Sequence, residues 1–555
     1  MPSASVDLLI RSATVYDGLG SPGRVADVAV HHGRIVDVGR VSASASHTVD
    51  AGGLALMPGI IDVHTHYDAQ VTWDPTLSPS PALGVTTALI GNCGFGIAPC
   101  PAPLRETMLK NLSVVEGMDL DALVVGTQWQ FETFSEYLEF LRRQRPYLNV
   151  GVYAGHSAIR TAVMGAEAST RKEPTSAQLG LMKAAVRQAM SDGAVGFASS
   201  FSPNHFGFGG QPMPSTVALD EELRALVGVI GEAGKGVFMM ATGPRATPEF
   251  MESLAADTGR PVFISTVLTM YNDAAPERAA GYYERCADAI SRGREVFIQT
   301  TCQPLSFDFT LLDPYLLLSH DAFDRVKAAR AEQLPSIYAD SSFRARFREN
   351  LAHPKPGILF FGDWAKVELE GRCVSELARE AGKDPLDYFF DTALERGLDT
   401  HFIAKLFQNN DEGVAPLLKH PAGVIALSDA GAHLQYFCDA GFGLHFLAKW
   451  VRETGTFTLE DGVRRLTSDP ARKFRIPGRG RIESGAWADL LLFDPAAVGV
   501  SPLEKVSDLP GGGSRMIRKP KGVVGVWVNG VQVFDGADYV KLEGGPGAVL
   551  DQFDS

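Results

Sequence analysis

Residues 57–66 read MPGIIDVHTH, and this short stretch says more about the fold than any other in the chain. A Pro-Gly turn precedes an apolar run that ends in His64 and His66. Side chains two positions apart on a strand lie on the same side, so both imidazoles can reach one metal ion. An H-x-H pair also occurs in ordinary cores and on surfaces, so its meaning depends on where the strand lies.

Seven further apolar runs are typical of buried parallel strands, and they alternate with segments of helical periodicity. The eight runs read GIIDVH, TALIG, VGVYAG, AVGFASS, VFMMA, VFIST, VFIQT and VIALSD. Eight strand-helix units predict an α/β fold, a TIM-like (β/α)8 barrel whose working residues lie at the carboxyl ends of the strands. The histidine pair stands at such an end.

The two ends of the chain instead contain short strand-like runs separated by turn residues. We interpret residues 1–57 and 478–555 as two parts of one small β-sandwich, and residues 58–477 as the barrel. Two separate end modules are the alternative, although no long linker isolates either end. The stretch from about 303 to 361 is too long for a simple connection and predicts an insertion over the barrel mouth, either a lid or a decorative excursion.

The composition is that of a soluble globular protein, with 45% hydrophobic and 21% charged residues in a chain of 555. A net charge of -14 argues against nucleic acid or an anionic membrane as partner, because both attract basic surfaces. The first residues do not resemble a signal peptide, and no apolar run has the length of a membrane span. Six scattered cysteines favour the reducing cytoplasm. A homo-oligomer is left open.

Two residues at other strand ends could complete a metal site. Asp429 ends the eighth run, which neighbours the first in a closed barrel, so its carboxylate could bind the metal and act as general base towards a metal-bound water. A helix N-cap is the alternative role. Cys93 ends the second run and offers a thiolate suited to zinc, or else a buried structural thiol.

Four more residues are candidates for substrate binding. His156 follows the third run and His205 lies after the fourth, where each could hydrogen-bond a substrate carbonyl or oxyanion, or be an ordinary loop histidine. His433 follows the eighth run and could also replace a metal ligand. Arg160, with Arg245, could hold a substrate carboxylate, although a surface role is the alternative for both.

Five motifs together carry a resemblance to a known family: MPGIIDVHTHYDAQ, GVTTALIGNCGFGIAP, GHSAIRTAVMG, ALSDAGAHLQYFCDAG and GRIESGAWADLLLFDP. The chain resembles the N-acyl-D-amino-acid deacylase (D-aminoacylase) branch of the amidohydrolase superfamily, most weakly between about 303 and 400. The resemblance implies a sandwich-plus-barrel fold, a divalent metal, usually zinc, and hydrolysis of a C-N amide bond. It also implies that His64, His66 and Asp429 are metal ligands and that Cys93 is the thiolate ligand of this branch.

Two departures from the family pattern matter. The fifth and sixth strands of the family normally end in histidines that bind a second metal, whereas the stretches here contain Thr242 and Thr266. The cations that follow the sixth and eighth strands are also missing. We therefore predict about one divalent metal, Zn²⁺, per chain and a small-molecule amide substrate that needs no free carboxylate.

The sequence thus predicts a metal-dependent hydrolase of linear amides. A first alternative is a hydrolase of a cyclic amide, lactone or amidine, for which Phe95, Phe206, Phe208 and Tyr436 would form an apolar mouth. A second alternative is a non-catalytic protein that kept the barrel after it lost its second metal site.

Overall fold

The computed structural model describes residues 5–241, 243, 245–265, 269–273, 275–355, 358, 360–434 and 439–553. Thr242, Thr266 and Tyr436 lie outside these residues, so the interpretations that involve them are not addressed by the structure.

The strands form one sheet built from both ends of the chain (the terminal sheet), one sheet of eight parallel strands (the parallel sheet) and three smaller sheets among the described residues. In chain order they are β1 (Val6–Val15), β2 (Arg24–His31), β3 (Arg34–Gly39), β4 (Ala45–Asp50), β5 (Ala55–Pro58), β6 (Ile60–Asp62), β7 (Val85–Ile90), β8 (Asn149–Gly155), β9 (Gly196–Ser200), β10 (Val237–Ala241), β11 (Val262–Ser265), β12 (Val296–Thr300), β13 (Leu305–Phe309), β14 (Val367–Leu369), β15 (Arg372–Cys373), β16 (Phe402–Phe407), β17 (Gly423–Ile425), β18 (Leu490–Phe493), β19 (Gly499–Val500), β20 (Glu504–Val506), β21 (Arg515–Ile517), β22 (Pro520–Lys521), β23 (Val523–Val528) and β24 (Val531–Phe534).

The helices lie mostly between the strands of the parallel sheet. In chain order they are α1 (Arg105–Val115), α2 (Leu120–Gly126), α3 (Phe134–Gln144), α4 (His156–Met164), α5 (Ser176–Asp192), α6 (Pro214–Val217), α7 (Asp220–Ala233), α8 (Pro248–Thr258), α9 (Pro276–Ser291), α10 (Asp324–Lys327), α11 (Leu334–Ala339), α12 (Ser341–Ala352), α13 (Val374–Glu380), α14 (Pro385–Arg396), α15 (Asp411–Lys419), α16 (Phe442–His445), α17 (Leu459–Leu466) and α18 (Ser468–Lys473). Among the described residues, no helix is both long and apolar enough to cross a membrane.

The parallel sheet contains all eight runs that the sequence predicted as strands. Its order is β17-β12-β11-β10-β9-β8-β7-β6, and every neighbouring pair is parallel. The two outer strands approach each other beyond their ends, where Thr65 and Ala430 form a parallel bridge and the His66 N–H donates to the Ala430 carbonyl at 2.7 Å. The α/β fold with eight parallel strands is therefore confirmed.

Local sequence signals begin and end the helices between these strands, as α5 shows. Before α5, the Thr175 and Gln178 side chains each bond the other's backbone N–H, and Gly193 ends the helix at φ 104°. This is a capping box at one end and a left-handed glycine cap at the other. Residues 175–193 are one of the segments of helical periodicity that alternate with the apolar runs.

The two ends of the chain combine in one sheet, because β18 pairs with β5. This terminal sheet has eight strands in the order β24-β23-β18-β5-β1-β2-β3, and β4 also pairs with β1. Strands from both ends of the chain are therefore hydrogen-bonded in one sheet. The predicted sandwich is not confirmed.

An insertion separates β12 from β17 and is larger than the sequence indicated. It has its own antiparallel sheet, in the order β13-β16-β14-β15, and its own hydrophobic core around Phe323, Phe343, Phe389 and Phe402. The insertion extends to Phe407 and not only to residue 361, because β16 pairs with β13 in the same sheet. Helices α13 and α14 resemble those of the strand-helix units, so periodicity alone does not reveal this boundary.

Candidate active site

A cavity of about 110 Å³ lies at the carboxyl ends of β6, β7 and β17. Its polar lining combines the predicted metal donors with a carboxylate that the sequence did not indicate: His64, His66, Cys93, Glu116, Ser202, Asn204, His205, Ser265, Asp429 and His433. Its apolar lining comes from both the parallel-sheet part and the insertion: Phe95, Met270, Leu305, Phe307, Tyr315 and Leu427.

The predicted metal donors cluster around the two imidazoles, and the ligand atoms of His64, His66 and Cys93 lie within 4.8 Å of one another. Asp429 Oδ1 lies 3.2 Å from His64 Nε2 and 3.5 Å from His66 Nε2, and Cys93 Sγ lies 3.6 Å from His64 Nε2. Ligand atoms arranged tetrahedrally around zinc, at bonds of about 2.0 to 2.3 Å, are separated by about 3.3 to 3.7 Å. These separations and the mixture of imidazole, thiol and carboxylate therefore fit a divalent metal of the zinc type.

Both histidines face this cluster with Nε2 and have a polar partner at Nδ1. His64 Nδ1 donates to Gln299 Oε1 at 2.6 Å, and His66 Nδ1 lies 3.1 Å from Glu116 Oε1. A proton held on Nδ1 leaves the Nε2 lone pair available, which is the usual arrangement of a histidine ligand. Neither Gln299 nor Glu116 was among the residues that the sequence singled out.

The Cys93 loop is fixed by tight turns and by a bridge to the histidine segment. Gly91 and Gly94 flank it at φ 82° and 79°, and a Cβ on Gly94 would lie 2.6 Å from the Ala198 carbonyl oxygen. The Asn92 amide donates to the carbonyls of Leu89 and Thr65. Glycine is therefore required on both sides of the thiol.

Four residues of the site have left-handed backbone conformations although they are not glycine: Cys93 at φ 55°, Leu427 at φ 72°, Asp429 at φ 46° and His433 at φ 53°. Each such residue costs on the order of 1 to 3 kcal/mol, and residues of this kind cluster at functional sites. The strain supports a functional interpretation of this end of the sheet.

Burial and neighbouring charges shift the pKa values in this cluster. Burial alone would raise the pKa of Asp429, but His64 and His66 outweigh it and hold this pKa below its usual value. Burial would lower the pKa of His66, but Glu116 and Asp429 raise it well above the usual range. Burial raises the pKa of Cys93 to about 11, so the thiol is protonated at neutral pH unless a cation binds.

Two of the four predicted substrate-binding residues reach the cavity. His205 is bonded to Ser200 Oγ at 2.7 Å, its ring meets Phe95 edge-on, and burial lowers its pKa to about 4. His433 Nε2 lies 4.0 Å from Glu116 Oε2. Both line the space where a substrate would sit.

The structure does not bring His156 and Arg160 to the cavity. Both side chains are fully buried beside Glu222, with His156 Nε2 at 2.8 Å from one carboxylate oxygen and the Arg160 guanidinium on the other. His156 Nδ1 is bonded to Ser199. Their polar atoms are thus engaged in a buried ion-pair network, and this geometry does not support the roles that the sequence suggested.

The other proposed contacts lie elsewhere too. Arg245 is paired with exposed Asp220 at 2.6 Å, and Phe206 and Phe208 are 42% and 52% exposed, outside the cavity lining. Of the aromatic residues expected at the mouth, Phe95 lines the cavity. No lysine or arginine is among the described lining residues, so the charged and titratable groups of the described lining are carboxylates, histidines and the Cys93 thiol, with the Tyr315 hydroxyl beside them.

Comparison with known proteins decides the family. The sequence profile described as "Amidohydrolase family" matches residues 47–534, which include every donor of the site. This chain belongs to the amidohydrolase family.

Relatives of this amidohydrolase include deacylases of N-acylated D-amino acids. It is 28% identical to an N-acyl-D-aspartate deacylase of Alcaligenes xylosoxydans xylosoxydans, over 96% of this chain and 93% of the relative. A crystal structure of N-acyl-D-glutamate deacylase from Bordetella bronchiseptica, with zinc and a phosphonate inhibitor, matches with a TM-score of 0.68 and 25% identity over 99% of this chain and 100% of that one. A D-aminoacylase structure, described with a binuclear metal centre, matches with a TM-score of 0.66 and 25% identity over 99% and 100%.

Proposed function

We propose that this amidohydrolase cleaves the C-N bond of a linear amide, with about one Zn²⁺ held by His64, His66, Cys93 and Asp429. The proposal is carried by two observations: the ligand atoms of His64, His66 and Cys93 lie within 4.8 Å of one another, and Asp429 Oδ1 lies 3.2 Å and 3.5 Å from the two imidazoles. A divalent ion bound there would lower the pKa of a water molecule to about 7 and polarise the carbonyl under attack.

Asp429 is the residue that handles the proton. Its low pKa, set by the two histidines against the effect of burial, keeps the carboxylate ionised at neutral pH. It can then accept a proton from the attacking water and return it to the leaving nitrogen. His205 and His433 line the same cavity, where an N–H of either could donate to the oxyanion.

The cavity lining favours an amide with an apolar acyl group and no free carboxylate. Phe95, Phe307 and Leu427 provide apolar contact, whereas Glu116 and Asp429 would repel a substrate anion. An enzyme for acidic N-acyl amino acids needs a cation for the carboxylate, and the described lining has neither lysine nor arginine. The substrate of this chain therefore differs from those in the names of its relatives.

Family membership agrees with the predicted amide hydrolysis. A cyclic amide, lactone or amidine substrate and a non-catalytic role, the two alternatives from the sequence, are not favoured by these relatives. The one-metal stoichiometry differs from the binuclear centre of the D-aminoacylase structure. It rests on the absence of histidines from the sequence at 239–243 and 264–269.

The same proposal covers the fold in finer detail. The parallel sheet closes as a (β/α)8 barrel within residues 58–477, which the Thr65 and Ala430 bridge supports. Residues 1–57 and 478–555 form the flanking β-domain, which the pairing of β5 with β18 supports.

Metal analysis and a matched pair of substrates test the proposal. After extensive dialysis we expect about one zinc per chain, and this value should not change in His31→Ala, which removes an exposed Asp7, His31 and His32 group that could bind a stray ion. An N-acyl-D-amino acid methylamide should be hydrolysed at least as fast as the free acid. Two tightly bound ions in His31→Ala would overturn the stoichiometry, and failure of the metal-loaded protein to cleave any amide would overturn the function.

A further inference from the structure

Glu116 is a buried carboxylate that no sequence motif marks. It follows the last residue of α1, is 2% exposed, and lines the cavity beside the metal donors. Burying a carboxylate is costly unless charged or hydrogen-bonding partners surround it. Its partners therefore indicate what it does.

The Glu116 side chain reaches two functional segments at once. Oε1 lies 3.1 Å from His66 Nδ1, and Oε2 lies 4.0 Å from His433 Nε2. The His433 backbone N–H also donates to the Glu116 carbonyl. One residue thus contacts a histidine donor that follows β6 and the segment just beyond Asp429.

Glu116 stands behind His66 and not beside the metal position. The two nitrogens of an imidazole ring point in different directions, and here Nε2 faces Asp429 while Nδ1 faces Glu116. Among the described residues, Glu116 Oε1 forms no hydrogen bond, and its contact with His66 Nδ1 is an ion pair. The carboxylate therefore acts on a metal ion only through the ring between them.

His64 provides an internal comparison. Its Nδ1 is also held from behind, but by the neutral amide of Gln299. A carboxylate behind a histidine ligand fixes the ring and increases its basicity more strongly than a neutral acceptor. The two histidines of one motif are thus held by partners of different charge.

We propose that Glu116 is the positioning residue of this site. Its carboxylate pairs with the Nδ1 side of His66 so that Nε2 points at the metal, and Glu116 also contacts His433 in the segment that follows Asp429. This inference rests on the proposed metal site. Loss of such a partner typically lowers metal affinity by about 10- to 100-fold.

Two variants separate the charge of Glu116 from its shape. Glu116→Gln keeps an oxygen acceptor of nearly the same size, and Glu116→Ala removes it. We expect the zinc Kd, measured by competition with a chelator, to rise about tenfold in Glu116→Gln and about 100-fold in Glu116→Ala. Glu106→Gln is the matched control, because Glu106 is an exposed glutamate on the same helix, and its Kd should equal that of the wild type.

The visible spectrum of the Co²⁺-substituted protein distinguishes a positioning role from a purely structural one. A change in ligand geometry shifts the spectrum, whereas a general loss of stability does not. We expect the d-d bands to shift in both Glu116 variants and to remain unchanged in Glu106→Gln. Wild-type spectra and Kd values in Glu116→Gln and Glu116→Ala would overturn the inference and leave the metal site standing. Failure of the wild-type protein to bind zinc or cobalt would instead overturn the proposed function. If Glu116→Ala does not fold, Glu116→Gln alone decides.

Discussion

The parallel-sheet part and the insertion contribute different things to one cavity. The four proposed metal donors and Glu116 come from segments that follow strands or helices of the parallel-sheet part, whereas the insertion contributes Leu305, Phe307 and Tyr315. The insertion also has its own sheet and its own core. In this chain the parallel sheet carries the proposed chemistry, and the insertion, which has its own core, lines part of the proposed substrate space. Each prediction below changes one side of that division.

Removing the charge of Asp429 should give the largest effect. We expect Asp429→Asn to lower kcat by at least about 100-fold, the usual contribution of a general base, while the protein stays folded. The control is Asp411→Asn, which changes a half-exposed carboxylate on α15 and should keep wild-type activity. Steady-state kinetics with a neutral amide measure both variants. A near-wild-type kcat in Asp429→Asn would show that Asp429 is not the general base.

Cys93 should affect metal affinity in a way that depends on pH. Because burial raises its pKa to about 11, the free thiol must lose a proton when a metal binds, so the affinity should increase as pH rises through the neutral range. We expect Cys93→Ala to weaken zinc binding by at least about tenfold and to release about one proton fewer on binding.

Calorimetry in buffers of different ionisation enthalpy measures that proton release. Cys100→Ala is the control, since Cys100 is also buried but lies outside the cavity lining. Equal proton release by wild type and Cys93→Ala would exclude the thiolate from the metal.

The sequence predicts the parallel-sheet part well and the supporting residues poorly. The eight strands and the four proposed donors follow from apolar runs that end in polar residues, a pattern that is local in the chain. Glu116 lies at a helix end and reaches His66 only through tertiary packing, so no local pattern reveals it. Gln299 did leave a signal, because it is a polar residue inside the buried run VFIQT. The buried pairing of His156 and Arg160 could not be predicted from local sequence, because their partner, Glu222, lies on another helix.

A change in the insertion should alter substrate binding and spare the chemistry. Phe307 is 6% exposed and lines the cavity from β13. We expect Phe307→Ala to raise KM about tenfold for an amide with an apolar acyl group, from a loss of about 1.5 kcal/mol of apolar contact, with kcat changed by less than about threefold. Phe208→Ala is the control, because Phe208 is half-exposed and lies outside the lining. An unchanged KM in Phe307→Ala would show that the insertion does not select the substrate.

The smallest effect concerns the stability of the insertion in acid. His320 is 1% exposed, its Nε2–H donates to the Phe360 carbonyl at 3.0 Å, and its ring packs edge-on against Phe347 of α12. Burial lowers its pKa from 6.5 to about 4. An unfolded insertion takes up a proton below pH 6.5, whereas the folded one stays neutral until about pH 4. The stability present above pH 6.5 is therefore lost progressively as the pH falls towards 4.

Hydrogen exchange is the suitable measurement, because it reports the opening free energy of individual amides. A chain with several hydrophobic cores does not unfold in a single two-state transition, so one global unfolding free energy would not isolate the insertion. Between pH 7 and 5.5, after correction for intrinsic rates, the opening free energy of the α12 amides should fall by on the order of 1 kcal/mol in the wild type. In His320→Gln it should stay nearly constant, because an amide donor replaces Nε2–H without a proton to gain. His401→Gln, which changes an exposed histidine beside β16, should behave like the wild type. If His320→Gln lost protection in acid as the wild type does, the buried histidine would not be the cause, and the insertion would share its acid response with the parallel-sheet part.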